Sequence, residues 1–181
     1  RINLRTIARY QAENSTLALR AIEVLDSERQ IDVQSKKLGI ERCFWAGRME
    51  EVLPQVYVDG AHNEDGIRAF LETVSQDGYD HRRKLLFSVV SDKDYETMLG
   101  KIAGSGLFEE IVLARLENYR GASIEVMEQS LKRSSDIYIV CFERVQEALA
   151  AVLADKKEEE RVYIVGSLYL VGEIKEYLSH D

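Results

Sequence analysis

Apolar and polar residues alternate along this chain with two different periods, and the change between them locates the elements. From Asn14 to Leu25, the residues Leu17, Ala18, Ala21, Ile22 and Leu25 fall three and four apart, as on one face of an amphipathic helix. Asn14 or Ser15 stands where a side chain caps the amino end of such a helix. A second, more polar helix is expected from about Asp32 to Leu38, closed by Gly39, because glycine takes up a left-handed C-cap at little cost. From Trp45 onward, short β-rich runs alternate with amphipathic stretches. Five runs read as strands: Val56 to Asp59, Lys84 to Val90, Glu110 to Ala114, Ile137 to Cys141 and Val162 to Val165. Helices are expected near 64–76, 94–102, 123–132, 143–154 and 167–179.

Strands alternating with helices of about ten residues imply right-handed crossovers. The expected fold class is therefore α/β: a three-layer, Rossmann-like, mostly parallel sheet flanked by helices and preceded by a short helical segment. The charged stretch from Asp155 to Arg161 reads as a solvated helix end and loop, and Arg82, Arg83 and Lys84 as a solvent-facing turn.

Length and charge narrow the function. A chain of 181 residues supports one sizeable core, burying about 70% of the surface its unfolded form exposes. With 24 basic and 32 acidic residues the net charge is −8, which disfavours a general affinity for nucleic acid. No apolar run approaches the roughly 20 residues of a membrane span, and the amino terminus has no signal-peptide order, so no membrane partner is expected. Cys43 and Cys141 lie far apart and form no ligand-spaced pair, which favours a reduced, cytoplasmic setting and no metal site in this chain. The chain starts at Arg1 with its pattern already under way, and it reads as a piece of a longer protein.

Ligands of open parallel sheets sit beyond the carboxyl ends of the strands, so the residues delivered there are the candidates for chemistry. The first strand run ends in Asp59-Gly60-Ala61-His62-Asn63, the second in Ser91-Asp92-Lys93-Asp94, the third in Arg115, and the last in Gly166-Ser167. Some of this is ordinary local structure: Asn63, Asp94 and Ser167 are each placed to cap the helix that follows. A carboxylate and an imidazole together at a strand end, Asp59 and His62, exceed what a turn requires. Arg48, after Gly47, is either a surface arginine or a fixed cationic fork for a phosphate. A helix amino terminus such as that beginning at Ser167 can also hold a carboxylate.

Taken in order, Gly47-Arg48, Asp59-Gly60-Ala61-His62-Asn63, Asp92-Lys93-Asp94 and Gly166-Ser167-Leu168-Tyr169-Leu170-Val171-Gly172 resemble the carboxyl-terminal domain of the folylpolyglutamate and dihydrofolate synthases, in the Mur ligase superfamily. Upstream, Tyr10-Gln11-Ala12-Glu13-Asn14 followed by Ala18-Leu19 is similar to the H-Q-x-x-N-x-x-x-A-L helix that ends the family's central ATPase domain. Tyr10 stands in place of the usual histidine, Ala46 of the proline before Gly47-Arg48, and Glu64 of the proline after the D-G-A-H-N motif.

The resemblance implies a division into 1–44, the helical end of the central domain, and 45–181, the glutamate-ligase domain. It implies that Asn14 approaches the adenine of ATP, Asp59 the ribose and Arg48 the phosphates. Asp59, His62 and Ser167 match glutamate recognition, Asp59 and His62 are the groups on which ligation depends, and Lys93 is a further candidate. The implied reaction joins L-glutamate to a folate or dihydropteroate through an acyl phosphate, with ATP and Mg²⁺, in a monomer. No G-x-x-x-x-G-K-[ST] phosphate cradle is present, so that loop is expected in a P-loop domain outside this chain, which alone would be inactive. Two other readings stay open: a Mur-type ligase of cell-wall peptides, and a non-catalytic Rossmann-like binding module.

Overall fold

A computed structural model describes residues 2–117 and 121–180. Two helices come first, α1 (Tyr10–Leu25) and α2 (Val33–Arg42), followed by a hairpin of β1 (Glu50–Leu53) and β2 (Val56–Asp59). After these the chain alternates: α3 (Glu64–Ser75), β3 (Arg83–Phe87), α4 (Tyr95–Gly104), β4 (Glu110–Ala114), α5 (Ile124–Ser134), β5 (Tyr138–Phe142), α6 (Val145–Asp155), β6 (Arg161–Val165) and α7 (Leu168–His180). The six strands form one sheet in the order β1-β2-β6-β3-β4-β5. Only the β1–β2 pair is antiparallel.

The period of two along each strand builds the three layers. Tyr57, Leu85, Phe87, Ile111, Leu113, Tyr163 and Val165 face one side, where they meet Ile67 and Phe70 of α3, Met98 and Leu99 of α4, and Met127 and Leu131 of α5. Their sequence neighbours Val56, Val58, Leu86, Val112, Val162 and Ile164 face the other, against Ala148 and Leu149 of α6 and Leu170 and Ile174 of α7. Burial on both faces explains why β2 and β4 are unbroken apolar runs apart from their polar end residues. Each Leu, Ile or Phe fully buried this way contributes about 1.5–3 kcal/mol. The expected three-layer, mostly parallel α/β fold is the one observed.

Four details differ from the sequence reading. The edge strand β1 was not among the expected strands; it is four residues long, begins with two glutamates and is only partly buried. Helix α1 starts at Tyr10, so Asn14 lies inside it and caps nothing; its amide donates to Gln11 Oε1 at 3.0 Å. Helix α2 runs through Gly39 to Arg42, because one helical glycine costs only about 1 kcal/mol and Asp32 secures the other end by accepting from Ser35 N–H. Neither α1 nor α2 buries a residue: Leu17, Val24 and Leu25 on α1 are largely exposed.

The fourth concerns charge beneath the sheet, at the amino ends of the strands. Lys84 is not in a solvent-facing turn. It is 1% exposed, with its ammonium 3.3 Å from Glu110, 3.8 Å from Glu160 and in contact with Asp155. Asp77, just after α3, accepts from Arg83 at 3.0 Å, Arg161 at 2.7 Å and the Tyr163 hydroxyl at 2.8 Å. The segments 82–84 and 155–161 thus supply paired groups that close the bottom of the sheet, at the end opposite the strand-end loops.

Candidate functional site

Adjacent strands β2 and β6 send their chains to opposite faces of the sheet, β2 into α3 and β6 into α7. Such a divergence leaves a crevice at the carboxyl ends of the two strands, the place where open α/β sheets bind ligands. Asp59 is the last residue of β2 and pairs in register with Val165 of β6, so both strand ends open onto this crevice.

Three segments converge above Asp59. The turn Gly47-Arg48-Met49 arrives ahead of β1, with Gly47 at φ 68° and Met49 at φ 47°. A left-handed conformation costs a non-glycine residue on the order of 1 kcal/mol. At Met49 it brings the backbone N–H to Asp59 Oδ2 at 3.0 Å. The loop after β2 crosses at Gly60, whose N–H donates to Gly47 O at 2.7 Å. A Cβ on Gly60 would stand 2.3 Å from Leu168 Cδ2 and 3.1 Å from Arg48 Nη1, so any side chain there must push aside the ends of these two side chains. Asn63 then caps α3 by accepting from Gly66 N–H at 2.8 Å. From the other side α1 contributes Tyr10 and Asn14.

The result is a cavity of about 320 Å³ lined by Tyr10, Asn14, Arg48, Asp59, Gly60, Ala61, His62, Asn63, Asp65, Gly66 and Ala69. Asp59 is 1% exposed and accepts three hydrogen bonds: from the Tyr10 hydroxyl at 2.5 Å and Met49 N–H on Oδ2, and from Ala61 N–H at 2.9 Å on Oδ1. Burial pushes its carboxyl above the ordinary value, and these donors together with the Arg48 charge oppose that rise without reversing it. Burial and the neighbouring Asp59 push the Tyr10 phenol far up, so it stays protonated and donates. His62 is half-buried and holds Gly60 O at 2.8 Å through Nδ1. In the tautomer that donates this bond, Nε2 is unprotonated and can accept. Arg48 is half-buried and takes part in no ion pair among the described residues, which leaves its guanidinium available to an anion.

Of the residues singled out in the sequence, Asn14, Arg48, Asp59 and His62 come together in this cavity. Ser167 and Lys93 do not line it. Ser167 is 2% exposed at the start of α7, its Oγ accepting from Tyr169 N–H at 3.1 Å, while its neighbour Leu168 lies over Gly60. Lys93 is half-buried in the turn ahead of α4, where Asp94 caps that helix. Asp59 is a buried side chain that also joins three segments. Sequence reading did not place Tyr10 in the site, although the motif position it occupies was the available signal. Nor could it find the backbone donors of Met49 and Ala61, which no side chain advertises.

A wider cleft of about 590 Å³ lies on the far side of Arg48, between the amino-terminal segment and β1, with Trp45, Phe44 and Glu51 in its lining. It shares Arg48 with the first cavity but contains neither Asp59 nor His62, so the strand-end chemistry is not there. Among the described residues no three His, Cys, Asp or Glu side chains gather as metal ligands, and no helix is long and apolar enough to cross a membrane.

The chain is similar to known proteins over most of its length. It is 28% identical over 176 residues to the dihydrofolate synthase/folylpolyglutamate synthase of Bacillus subtilis, covering 95% of this chain and 40% of that protein. It is 27% identical over 175 residues to the folylpolyglutamate synthase of Lacticaseibacillus casei, with 93% and 38% covered. Its fold matches that of Mycobacterium tuberculosis folylpolyglutamate synthase complexed with ADP with a TM-score of 0.87 at 22% identity, over 99% of this chain and 42% of that one. The chain therefore spans about two fifths of the length of the relatives it matches. The family model described as Mur ligase, glutamate ligase domain, matches residues 47–168, a stretch that holds Arg48, Asp59, His62 and Ser167, and the chain belongs to that family.

Proposed function

We propose that this chain is the glutamate-ligase part of a folylpolyglutamate or dihydrofolate synthase, a cytoplasmic enzyme that joins L-glutamate to a folate or dihydropteroate with cleavage of ATP. The observation that carries the reading is the convergence of Asn14, Arg48, Asp59 and His62 on one cavity at a sheet crevice. The donor set suits a nucleoside phosphate. Asp59 keeps an acceptor position for a ribose hydroxyl, the Asn14 amide offers both a donor and an acceptor to an adenine edge, and Arg48 brings a cationic fork to phosphate oxygens.

ATP would supply the phosphoryl group that converts the folate carboxylate into an acyl phosphate, releasing ADP; the amine of glutamate then attacks the acyl carbon and phosphate leaves, forming the amide. Within this chain, Arg48 offsets negative charge on the phosphoryl oxygens as the transfer proceeds. Nε2 of His62 accepts from the amine of glutamate, and the amino end of α7, opened by Ser167, attracts a glutamate carboxylate. The described residues offer no ligand set for Mg²⁺, so that ion would be held by phosphates and by groups outside this chain. The phosphate cradle would also come from the remainder of the protein, and in this reading residues 1–44 end its central domain. Activity then requires both parts.

The test is ATP- and folate-dependent incorporation of labelled L-glutamate by the intact protein, with this chain assayed beside it. Incorporation by the intact protein alone is the expected result. No incorporation with folate or dihydropteroate, together with turnover of D-glutamate or a diamino acid on a nucleotide-linked peptide, would replace the reading with that of a cell-wall ligase.

A further inference from the structure

We propose that Tyr10 is a positioning residue of the nucleotide cavity, its hydroxyl occupying Oδ2 of Asp59 so that the carboxylate presents its one open acceptor position, on Oδ1, to the ligand. The inference rests on the reading of this cavity as the ATP site. It follows from a count of acceptor positions. A carboxylate offers about four, two on each oxygen. Tyr10 at 2.5 Å and Met49 N–H at 3.0 Å fill both on Oδ2, and Ala61 N–H at 2.9 Å takes one on Oδ1. A single position remains, on a side chain that lines the cavity while almost wholly buried.

Of the three donors, two are backbone groups from the turns on either side of the hairpin, and they travel with the sheet. Tyr10 alone comes from α1, 49 residues away in sequence, and its ring is also a wall of the cavity. The orientation of the carboxylate thus depends on α1 being seated against the sheet. Without the hydroxyl, Oδ2 regains an open position and a ligand hydroxyl has two places to bind instead of one. The titratable and charged groups around Asp59 are Tyr10 from α1, Arg48 from the turn ahead of β1, and His62 and Asp65 across the cavity. The Tyr10 hydrogen bond favours the ionised carboxylate, so its loss moves the Asp59 titration to higher pH.

The experiment is Tyr10→Phe in the intact protein, which keeps the ring and removes only the donor. Expected are a KM for ATP raised roughly five- to tenfold, with kcat falling less than KM rises, and an acid limb of the kcat/KM profile moved to higher pH. The Asp59 carboxyl carbon, followed by 13C NMR, should titrate at higher pH in the variant. A KM for ATP and an acid limb both unchanged within a factor of about two would overturn the proposal, as would a variant that does not fold, since the tyrosine would then be structural. If the wild-type protein ligates no glutamate, it is the functional reading that fails. The Asp59 resonance then decides the positioning claim: a titration shifted in the variant upholds it, and one identical in the two proteins overturns it.

Discussion

The ammonium of Lys84 sits 3.3 Å from the carboxylate of Glu110 beneath the sheet, with both residues largely withdrawn from water. Lys84→Ala would leave Glu110 and Glu160 with Arg82, at 3.6 and 3.4 Å, as their remaining cation, and a loss of about 1–3 kcal/mol is expected, read as a drop in the denaturant midpoint. Lys84→Ala within about 0.5 kcal/mol of wild type would show that the network contributes nothing.

The same group sets a dependence on alkali. Burial pushes the Lys84 ammonium down, but Asp155, Glu110 and Glu160 outweigh it and raise the folded value above the ordinary 10.5. A raised lysine contributes stability that is fully present below its unfolded value and lost as pH rises through the folded one. Wild type should therefore lose stability above about pH 10.5 more steeply than Lys84→Met, as measured by thermal melting across that range.

Asp77 predicts the opposite limb. Burial pushes its carboxyl up, yet hydrogen bonds from Tyr79 N–H, the Tyr163 hydroxyl and Arg83 outweigh this and hold it below its ordinary 3.8. The stability it contributes is present above that value and lost as pH falls through the lower folded one. Asp77→Asn should melt lower at neutral pH and show a flatter decline below about pH 4. An acid limb parallel to that of wild type would remove Asp77 from the account.

His62 and Asp59 should separate on substitution. Among the described residues His62 makes one hydrogen bond, to Gly60 O, so His62→Ala is expected to cut glutamate ligation by the intact protein by about a hundredfold or more with little change in melting temperature. Asp59→Ala should abolish ligation and also destabilise, because Met49 and Ala61 lose the acceptor for their buried N–H groups, at about 1–3 kcal/mol each. Near-normal ligation in both variants would remove the site assignment.

Gly60 is open to a steric test. A methyl there meets Leu168 Cδ2 and Arg48 Nη1, so Gly60→Ala should displace the guanidinium and raise the KM for ATP. Leu168→Ala in the same protein should recover part of that loss by giving the methyl room. No recovery would mean that the contact with the Arg48 guanidinium, rather than that with Leu168, carries the effect.

Local chemistry alone determined much of this protein. The runs Val56–Asp59 and Glu110–Ala114 were legible as strands to the residue, because a strand buried on both faces has few polar residues to blur its ends. The alternation of such runs with amphipathic helices implied the three layers, the first strand-end motif named Asp59 and His62, and Arg48 was singled out through the family resemblance. Tertiary structure decided what depends on residues distant in sequence. The edge strand β1 exists through its pairing with β2, not through its own apolar content. Lys84 is buried because three carboxylates from other segments surround it. Asp59 became a buried acceptor with one position left open through a tyrosine of α1 and a methionine N–H held left-handed, contacts that no local pattern around Asp59 foretells. Periodicity records which face of an element is apolar; which distant donor meets a given carboxylate is settled only when the helices and the sheet pack.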